Sequence, residues 1–258
     1  MPTAAGLYYY SHNENDLSRL PVILIHGAGG THLHWPPDVR RMDGPRIYAI
    51  DLPGHGKSSG LGEQSIDEYT GSVVEFMNAT GLHAAVVVGH SMGSAIAITL
   101  TIEHPNRVRG LGLVGSGARL RVAQEILDGS ADPTKFQQVV RAINDLAYGS
   151  WVDPRFKEQA AKRMAETRPV VLHGDFLACN TFSVMDRLLD IHVPTLILCG
   201  KEDKLTPLRY SEFLRDQIPL AELQVVERAG HMVMLEEPLI VAGVLADFLN
   251  KIPYQPGR

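Results

Sequence analysis

Three side chains that lie far apart in the sequence are of the types that together activate a hydroxyl group: Ser91, Asp203 and His231. A serine hydroxyl is a weak nucleophile until a neighbouring base takes its proton. Histidine can take and return a proton near neutral pH, because its ordinary pKa is about 6.5. A carboxylate beside the imidazole holds its tautomer and stabilises its protonated form. We therefore predict that these three residues form a triad for nucleophilic catalysis.

The sequence around Ser91 predicts a strand, a tight turn and a helix. The three valines at 86–88 indicate a short buried strand, and the small apolar residues at 95–100 are typical of a helix packed on a sheet. The glycines at 89 and 93 lack Cβ atoms where strand and helix would otherwise collide. Such a turn lifts the serine hydroxyl clear of the sheet. We expect the backbone N–H of Met92, the next residue, to stabilise a developing oxyanion.

A second glycine-rich loop follows another apolar run. Residues 22–25 predict a parallel strand covered on both faces, and the sequence His-Gly-Ala-Gly-Gly follows at 26–30. Glycines directly after a buried strand let a backbone N–H point into a cleft. The alternative, a phosphate-binding loop, is disfavoured because no Gly-Lys-Ser/Thr follows. We predict that the N–H of Ala28 is the second oxyanion donor.

Each proposed role has a rival nearby. Glu202 directly precedes Asp203, but Asp203 is favoured because it lies four residues after Cys199, the last apolar position of its run. His90 adjoins Ser91, yet neighbouring side chains on a sharp turn point apart, so we interpret His90 as structural. The other histidines near motif glycines are His26, His55 and His104.

Apolar runs that alternate with helical patterns predict an α/β fold with a mostly parallel central sheet flanked by helices. Strands are expected at 7–10, 22–25, 47–50, 84–88, 108–114, 195–199 and 222–226. The capping-box sequence at 65–68 predicts that a helix begins there. Because the carboxyl ends of parallel strands lie at one edge of a sheet, the loops that carry Ser91, Asp203 and His231 are expected to converge there.

The strand–helix alternation is interrupted in one long segment. From Arg119 to Asp190 the pattern is helical and amphipathic, with apolar residues recurring at helical spacing, for example from 136 to 146. Such a block is typical of a cap inserted over the edge of the sheet where open α/β folds bind ligands. We therefore predict a core formed by residues 1–117 and 191–258 and a helical cap, or lid, formed by residues 118–190.

Composition and charge exclude several function classes. The chain has 258 residues, a formal net charge of −5 and no basic tract, which argues against nucleic acid and anionic membrane surfaces as partners. Cys179 and Cys199 lack the spacing of a zinc site, so no bound metal is expected. The sequence Gly-His-Gly-Lys-Ser at 54–58 lacks the full phosphate-loop frame, so nucleotide binding is rejected. Asp51 and His55 are interpreted instead as tying a long turn together.

The ends and apolar runs of the chain carry no targeting pattern. No basic and apolar leader begins the sequence, and no apolar run reaches membrane-spanning length. We therefore expect a cytoplasmic location without membrane insertion, and the sequence assigns no oligomeric state.

The motifs that carry a resemblance are HGAG at 26–29, DLPGHGKS at 51–58, GHSMG at 89–93, GKED at 200–203 and GH at 230–231. Together they resemble those of the α/β-hydrolase superfamily over essentially the whole chain, especially its small capped bacterial esterases. The chain order serine, aspartate, histidine is also the order in that superfamily. Epoxide hydrolases and haloalkane dehalogenases share the fold but have aspartate as the nucleophile, so Ser91 argues against both. The resemblance implies no cofactor and a substrate pocket between cap and core.

On this resemblance we expect a serine hydrolase that cleaves small-molecule carboxylic esters of small to medium acyl groups through an acyl-enzyme intermediate. The same triad could instead serve carbon–carbon bond, lactone or thioester hydrolysis. An alternative from a different class is a ligand receptor that retains the triad without turnover.

Overall fold

The computed structural model describes residues 2–254, and its centre is one eight-stranded sheet. The strands are β1 (Thr3–Ala4), β2 (Leu7–His12), β3 (Pro21–Ile25), β4 (Arg46–Ile50), β5 (Ala85–His90), β6 (Val108–Val114), β7 (Thr195–Gly200) and β8 (Ala221–Val226). Their order across the sheet is β1-β2-β4-β3-β5-β6-β7-β8. The β1–β2 and β2–β4 pairs are antiparallel and all later pairs are parallel. The predicted fold class, a mostly parallel sheet flanked by helices, is therefore confirmed.

Ten α-helices accompany the sheet in the described part of the chain. They are α1 (Pro37–Arg40), α2 (Ile66–Ala79), α3 (Met92–Glu103), α4 (Gln124–Ala131), α5 (Phe136–Ala147), α6 (Pro154–Met164), α7 (Pro169–Thr181), α8 (Leu208–Gln217), α9 (Val233–Glu236) and α10 (Pro238–Asn250). The predicted capping box is present, because the Ser65 hydroxyl accepts a hydrogen bond from the Glu68 N–H at 3.2 Å. Among residues 2–254, no helix is both long and apolar enough to cross a membrane.

The sheet has an apolar core on each face, as the alternation of side chains along its strands requires. Ile23 and Val87 point to the face that α2 and α3 cover, where they pack in one cluster with Phe76. Leu24 and Val88 point to the other face and join the cluster that contains Phe248 of α10. The four strand residues, Ile23, Leu24, Val87 and Val88, are completely buried. Burial on both faces explains why the central strands are continuous apolar runs.

Four consecutive helices, α4 to α7, occupy the chain between β6 and β7. Helices α4, α5 and α7 share a small apolar cluster of their own, which includes Leu127, Val140, Leu172 and Phe176. The predicted helical character of the segment 118–190 is therefore present. The predicted core segments include residue 1 and residues 255–258, which lie outside the described residues.

Candidate active site

Ser91 is the single residue between the end of β5 and the start of α3. Its backbone has φ 53° and ψ −116°, a positive φ that side chains other than glycine rarely adopt. Strain of this kind costs about 1–3 kcal/mol and persists only where the surroundings enforce it. Here the Ser91 N–H donates to the Val114 carbonyl at 2.9 Å, and the Ser91 carbonyl accepts from the Ser94 N–H at 2.9 Å. The predicted strand–turn–helix around Ser91 is thus present.

Glycines 89 and 93 allow the turn because they remove Cβ atoms from crowded positions. A Cβ on Gly89 would collide with the carbonyl group of Gly93. A Cβ on Gly93 would collide with the carbonyl oxygens of Ile25 and His26 at the end of β3. Backbone groups in strands cannot move aside as a flexible side chain would. Glycine at both positions is therefore a requirement for the close approach of β5, α3 and β3.

Asp203 and His231 are hydrogen-bonded to each other. The Nδ1 atom of His231 lies 2.9 Å from Oδ2 of Asp203. The same carboxylate accepts hydrogen bonds from the N–H groups of Leu205 and Thr206 at 2.9 and 2.8 Å and from the Thr206 hydroxyl at 2.7 Å. Burial by itself raises the pKa of Asp203, but His231 and these donors outweigh it, so the net pKa is lowered. An ionised carboxylate at Nδ1 places the imidazole proton there and leaves Nε2 as the acceptor.

Backbone contacts fix the loop that carries His231. The N–H groups of His231 and Met232 both donate to the Ala147 carbonyl, at 2.8 and 3.1 Å. The carboxylate of Glu236 accepts from the N–H of Gly230 at 2.9 Å and from the N–H of Gly149 at 2.8 Å. Burial raises the pKa of Glu236 despite these donors. The end of α5 and the loop after it therefore hold the histidine loop in place.

A cavity of about 270 Å³ is lined by Ala28, Ser91 and His231 together. Asp203 is buried behind His231, and Met92 is buried as the first residue of α3. The structure thus gathers the predicted site residues at one edge of the sheet. The apolar lining residues that come from the segment 118–190 include Leu120, Val122, Ile126, Ile143, Leu146 and Phe176.

A second, larger cavity of about 480 Å³ adjoins the first and shares His34, Ala147, Met164 and Met232 with it. Its lining is more polar and includes Asp51, Lys57, Arg163 and Glu166. The space open to a ligand therefore changes from apolar beside Ser91 to polar further away.

The rival residues lie elsewhere or have other partners. Glu202 is half-buried, and its carboxylate accepts a hydrogen bond from the Ser150 N–H at 2.7 Å. His90 donates from Nε2 to the His231 carbonyl at 3.0 Å, and burial holds its pKa well below the ordinary value. His90 is therefore a neutral group beside the histidine loop, as the structural interpretation expects.

The loop after β4 also matches its structural interpretation. Asp51 accepts hydrogen bonds from the N–H groups of His32 and Lys57, at 2.6 and 2.9 Å. His55 donates from Nδ1 to the Pro53 carbonyl at 3.0 Å and from Nε2 to Asp175 at 2.8 Å. Among residues 2–254, no cluster of three histidine, cysteine or acidic side chains is arranged to hold a metal. Both cysteines are buried and free of disulfide bonds.

Three buried polar residues near the site were not predicted: Thr206, Asp175 and Glu236. Thr206 follows Asp203 by three residues, the spacing of a local side-chain turn, which is a weak signal in the sequence. Asp175 interrupts an apolar stretch of α7, and a buried acid in such a stretch requires polar partners. Glu236 has no comparable signal, because its partners are backbone N–H groups six and 87 residues away, which no side-chain pattern marks.

Comparisons with known proteins identify the family of the chain. A family model described as alpha/beta hydrolase fold matches residues 21–238. A solved structure described as a thermophilic esterase is 35% identical and has a TM-score of 0.82, with 95% of this chain and 93% of that chain covered.

Two curated relatives are similar over most of their lengths. The 2-hydroxymuconate semialdehyde hydrolase of Pseudomonas putida is 29% identical over 266 residues, with 95% of this chain and 92% of the relative covered. The pimeloyl-acyl-carrier-protein methyl ester esterase of Neisseria meningitidis serogroup C is 27% identical over 247 residues, with 90% and 94% covered. The chain therefore belongs to the α/β-hydrolase family, alongside esterases and other hydrolases.

Proposed function

We propose that the protein is a serine hydrolase that cleaves carboxylic esters of small to medium acyl groups. The observation that carries the proposal is the shared cavity: Ser91, on its strained turn, and His231, hydrogen-bonded to Asp203, line the same space. The similar esterases named above support an ester as the substrate. A cavity of about 270 Å³ with a mainly apolar lining suits an acyl group of modest length.

In the proposed acylation step, the Ser91 Oγ attacks the ester carbonyl carbon while its proton passes to Nε2 of His231. Asp203 stabilises the imidazolium that forms. The N–H groups of Ala28 and Met92 donate to the tetrahedral oxyanion. The intermediate collapses when His231 returns the proton to the leaving alcohol, and an acyl group remains on Ser91.

Deacylation repeats the sequence with water as the nucleophile. His231 takes a proton from the water, the hydroxide adds to the acyl carbonyl, and Ser91 leaves with the proton that His231 returns. The products are a carboxylic acid and a regenerated hydroxyl group. No step requires a cofactor.

We propose that residues 118–190 act as the cap over this site. The small apolar cluster that α4, α5 and α7 share supports a separate packed unit. The apolar side chains that the same segment contributes to the cavity lining support its role in choosing the acyl group.

Replacement of the nucleophile tests the function. With p-nitrophenyl butyrate as substrate, Ser91→Ala is expected to lower kcat/KM by at least about a thousand-fold, because no other group can form the acyl-enzyme. Ser18→Ala, on an exposed loop, is the matched control and should keep the activity of the wild type. Steady-state assays over acetyl, butyryl and octanoyl esters measure both rate and acyl preference.

The result that would overturn the proposal is full esterase activity in Ser91→Ala. Parallel assays with thioesters and lactones separate ester hydrolysis from the other uses of the triad, through the ratios of kcat/KM. A single burst of acylation without turnover would favour the ligand receptor.

A further inference from the structure

The loop that carries Ala28 is a tight turn. The Gly30 N–H donates to the Gly27 carbonyl at 3.0 Å, so Ala28 and Gly29 are its two central residues. Gly29 has φ +63°, the positive value that a type II turn requires at this position. Type I and type II turns differ by a flip of the central peptide, here the one between Ala28 and Gly29. The direction of the Gly29 N–H therefore reports which form the loop adopts.

Residues that follow α6 hold both polar groups of Gly29. The Gly29 N–H donates to Oδ2 of Asp175 at 2.8 Å. The hydroxyl of Thr167 donates to the Gly29 carbonyl at 3.1 Å. A Cβ on Gly29 would lie 2.9 Å from the side chain of Leu172, so α7 packs directly against the turn. The segment from Thr167 to Asp175 thus fixes the peptides on both sides of Gly29.

Asp175 is held in turn by the core. It is completely buried, and its Oδ1 atom accepts from the Tyr69 hydroxyl at 2.6 Å. Both ring nitrogens of His55 face acceptors, the Pro53 carbonyl and the Asp175 carboxylate, so both carry a proton and the ring is an imidazolium. Burial lowers the pKa of His55, but Asp175 more than offsets this and the net pKa is raised. The carboxylate is therefore charge-compensated, which a buried acid needs.

We propose that Asp175 and Thr167 are positioning residues for the oxyanion hole: Asp175 holds the Ala28–Gly29 peptide and Thr167 holds the Gly29–Gly30 peptide. The turn then stays in one form, and the Ala28 N–H, which belongs to the preceding peptide, stays directed at the substrate carbonyl. The inference rests on the proposed esterase function. It also implies that α7, which carries Asp175, stays packed on the core during catalysis. A mobile lid would instead move away from the core when substrate enters. Misplacement of a catalytic group by about 1 Å can cost a hundred-fold in rate.

The half-buried Thr167 gives the cleaner test, because its removal leaves the apolar core intact. Thr167→Val keeps the shape but loses the hydroxyl that donates to Gly29. We expect kcat for p-nitrophenyl butyrate to fall about ten-fold with KM changed less than about two-fold, because the contact acts on the oxyanion and not on ground-state binding. Thr167→Ser restores the hydroxyl and should restore kcat.

Asp175 is tested beside a control that touches the same carboxylate. Asp175→Ala removes the acceptor for the Gly29 N–H, and kcat should fall about a hundred-fold. Asp175→Asn keeps one oxygen and should recover most of that loss. Tyr69→Phe removes the donor to Oδ1 but leaves the Gly29 contact, so it should lower the melting temperature and lower kcat less than Asp175→Ala does.

An oxyanion mimic separates positioning from general stability. Inhibition by a trifluoromethyl ketone, whose serine adduct carries an oxyanion, should weaken in parallel with kcat in Thr167→Val. If Asp175→Ala does not fold, the comparison of Thr167→Val with Thr167→Ser tests the positioning role by itself. Wild-type kcat in folded Thr167→Val overturns the positioning role while the esterase proposal stands. A wild-type protein without Ser91-dependent hydrolysis overturns both.

Discussion

At the scale of single residues, the hydrogen bonds around Asp203 determine how the site can use a proton. Both carboxylate oxygens accept donors from Leu205, Thr206 and His231, and the pKa of Asp203 is lowered even though burial raises it. The acid is therefore ionised at neutral pH. It can hold the imidazole proton on Nδ1 and does not take that proton itself.

Replacing this acid tests its assignment against its sequence neighbour. Asp203→Asn should lower kcat by about a thousand-fold or more, because an amide facing Nδ1 favours the wrong imidazole tautomer. Glu202→Gln is the matched control, since the Glu202 carboxylate accepts from the Ser150 N–H and not from His231. Steady-state kinetics of both variants with a short-acyl ester measure the difference. Equal losses in the two variants would contradict the assignment.

Ser91, Asp203 and His231 could be proposed from the sequence because each lies in a local pattern of glycines and apolar runs. Asp175 and Glu236 could not be, and the reason is physical. The Gly29–Asp175 hydrogen bond joins residues 146 positions apart, and the Gly149–Glu236 hydrogen bond joins residues 87 positions apart. An acid whose partner is a backbone N–H far along the chain cannot be matched to that partner from its own neighbourhood in the sequence.

At the scale of elements, α3 packs closely against the sheet because a glycine lies where the helix meets a strand. Its residues from Met92 to Ile102 are all buried, because the helix lies between the sheet and α2. Gly93 touches the end of β3, where a Cβ has no room. This close contact at Gly93 lies two residues after the strained backbone of Ser91.

A pair of helical glycines tests this packing. Gly93→Ala should lower the free energy of unfolding by about 1–3 kcal/mol, because the added methyl overpacks a site bounded by backbone. Gly71→Ala, in the middle of α2 with open space around the added atom, should raise it by about 0.5–1 kcal/mol through helix propensity. Urea unfolding of both variants supplies the comparison. A neutral Gly93→Ala would show that α3 can shift away from β3.

The elements themselves were largely predictable, for a reason visible in β3 and β5. Both are covered on two faces, so burial imposes a continuous apolar run on the sequence. Two details of the strands were not predicted. β1 (Thr3–Ala4) has only two residues, too few for any alternation, and β5 continues to His90 because its ladder with β6 pairs Gly89 with Leu113 and His90 with Val114.

At the scale of the whole molecule, the buried histidines connect folding to pH. Burial holds the pKa of His26 and of His90 well below the ordinary value and lowers the pKa of His34 to about 4. An unfolded chain would protonate these side chains near pH 6.5. Between pH 6.5 and 4, the unfolded chain therefore binds more protons than the folded one, and acid favours unfolding.

The free energy of unfolding should consequently fall as pH drops from 6.5 toward 4, by up to about 4 kcal/mol per pH unit if three histidines contribute. His34→Gln should reduce that slope by about a third, whereas His83→Gln, at an exposed position, should not. Urea unfolding at pH 6.5, 5.5 and 4.5 measures the slope. His55, with its raised pKa, stabilises the fold fully below pH 6.5 and loses its contribution at higher pH, outside this window. A stability that stays constant down to pH 4.5 would contradict the assignment.

The Ala147 carbonyl accepts the N–H groups of both His231 and Met232, and Gly149 shares the Glu236 carboxylate with Gly230. The helical segment 118–190 therefore supports the loop that carries His231, and it cannot be replaced without changing that loop's contacts. A chimera that grafts the corresponding helices of a relative onto this core would exchange the backbone partners of His231 along with the lining of the cavity. Redesign of selectivity is better confined to side chains such as Ile126 and Leu146, which border the cavity without supporting the histidine loop.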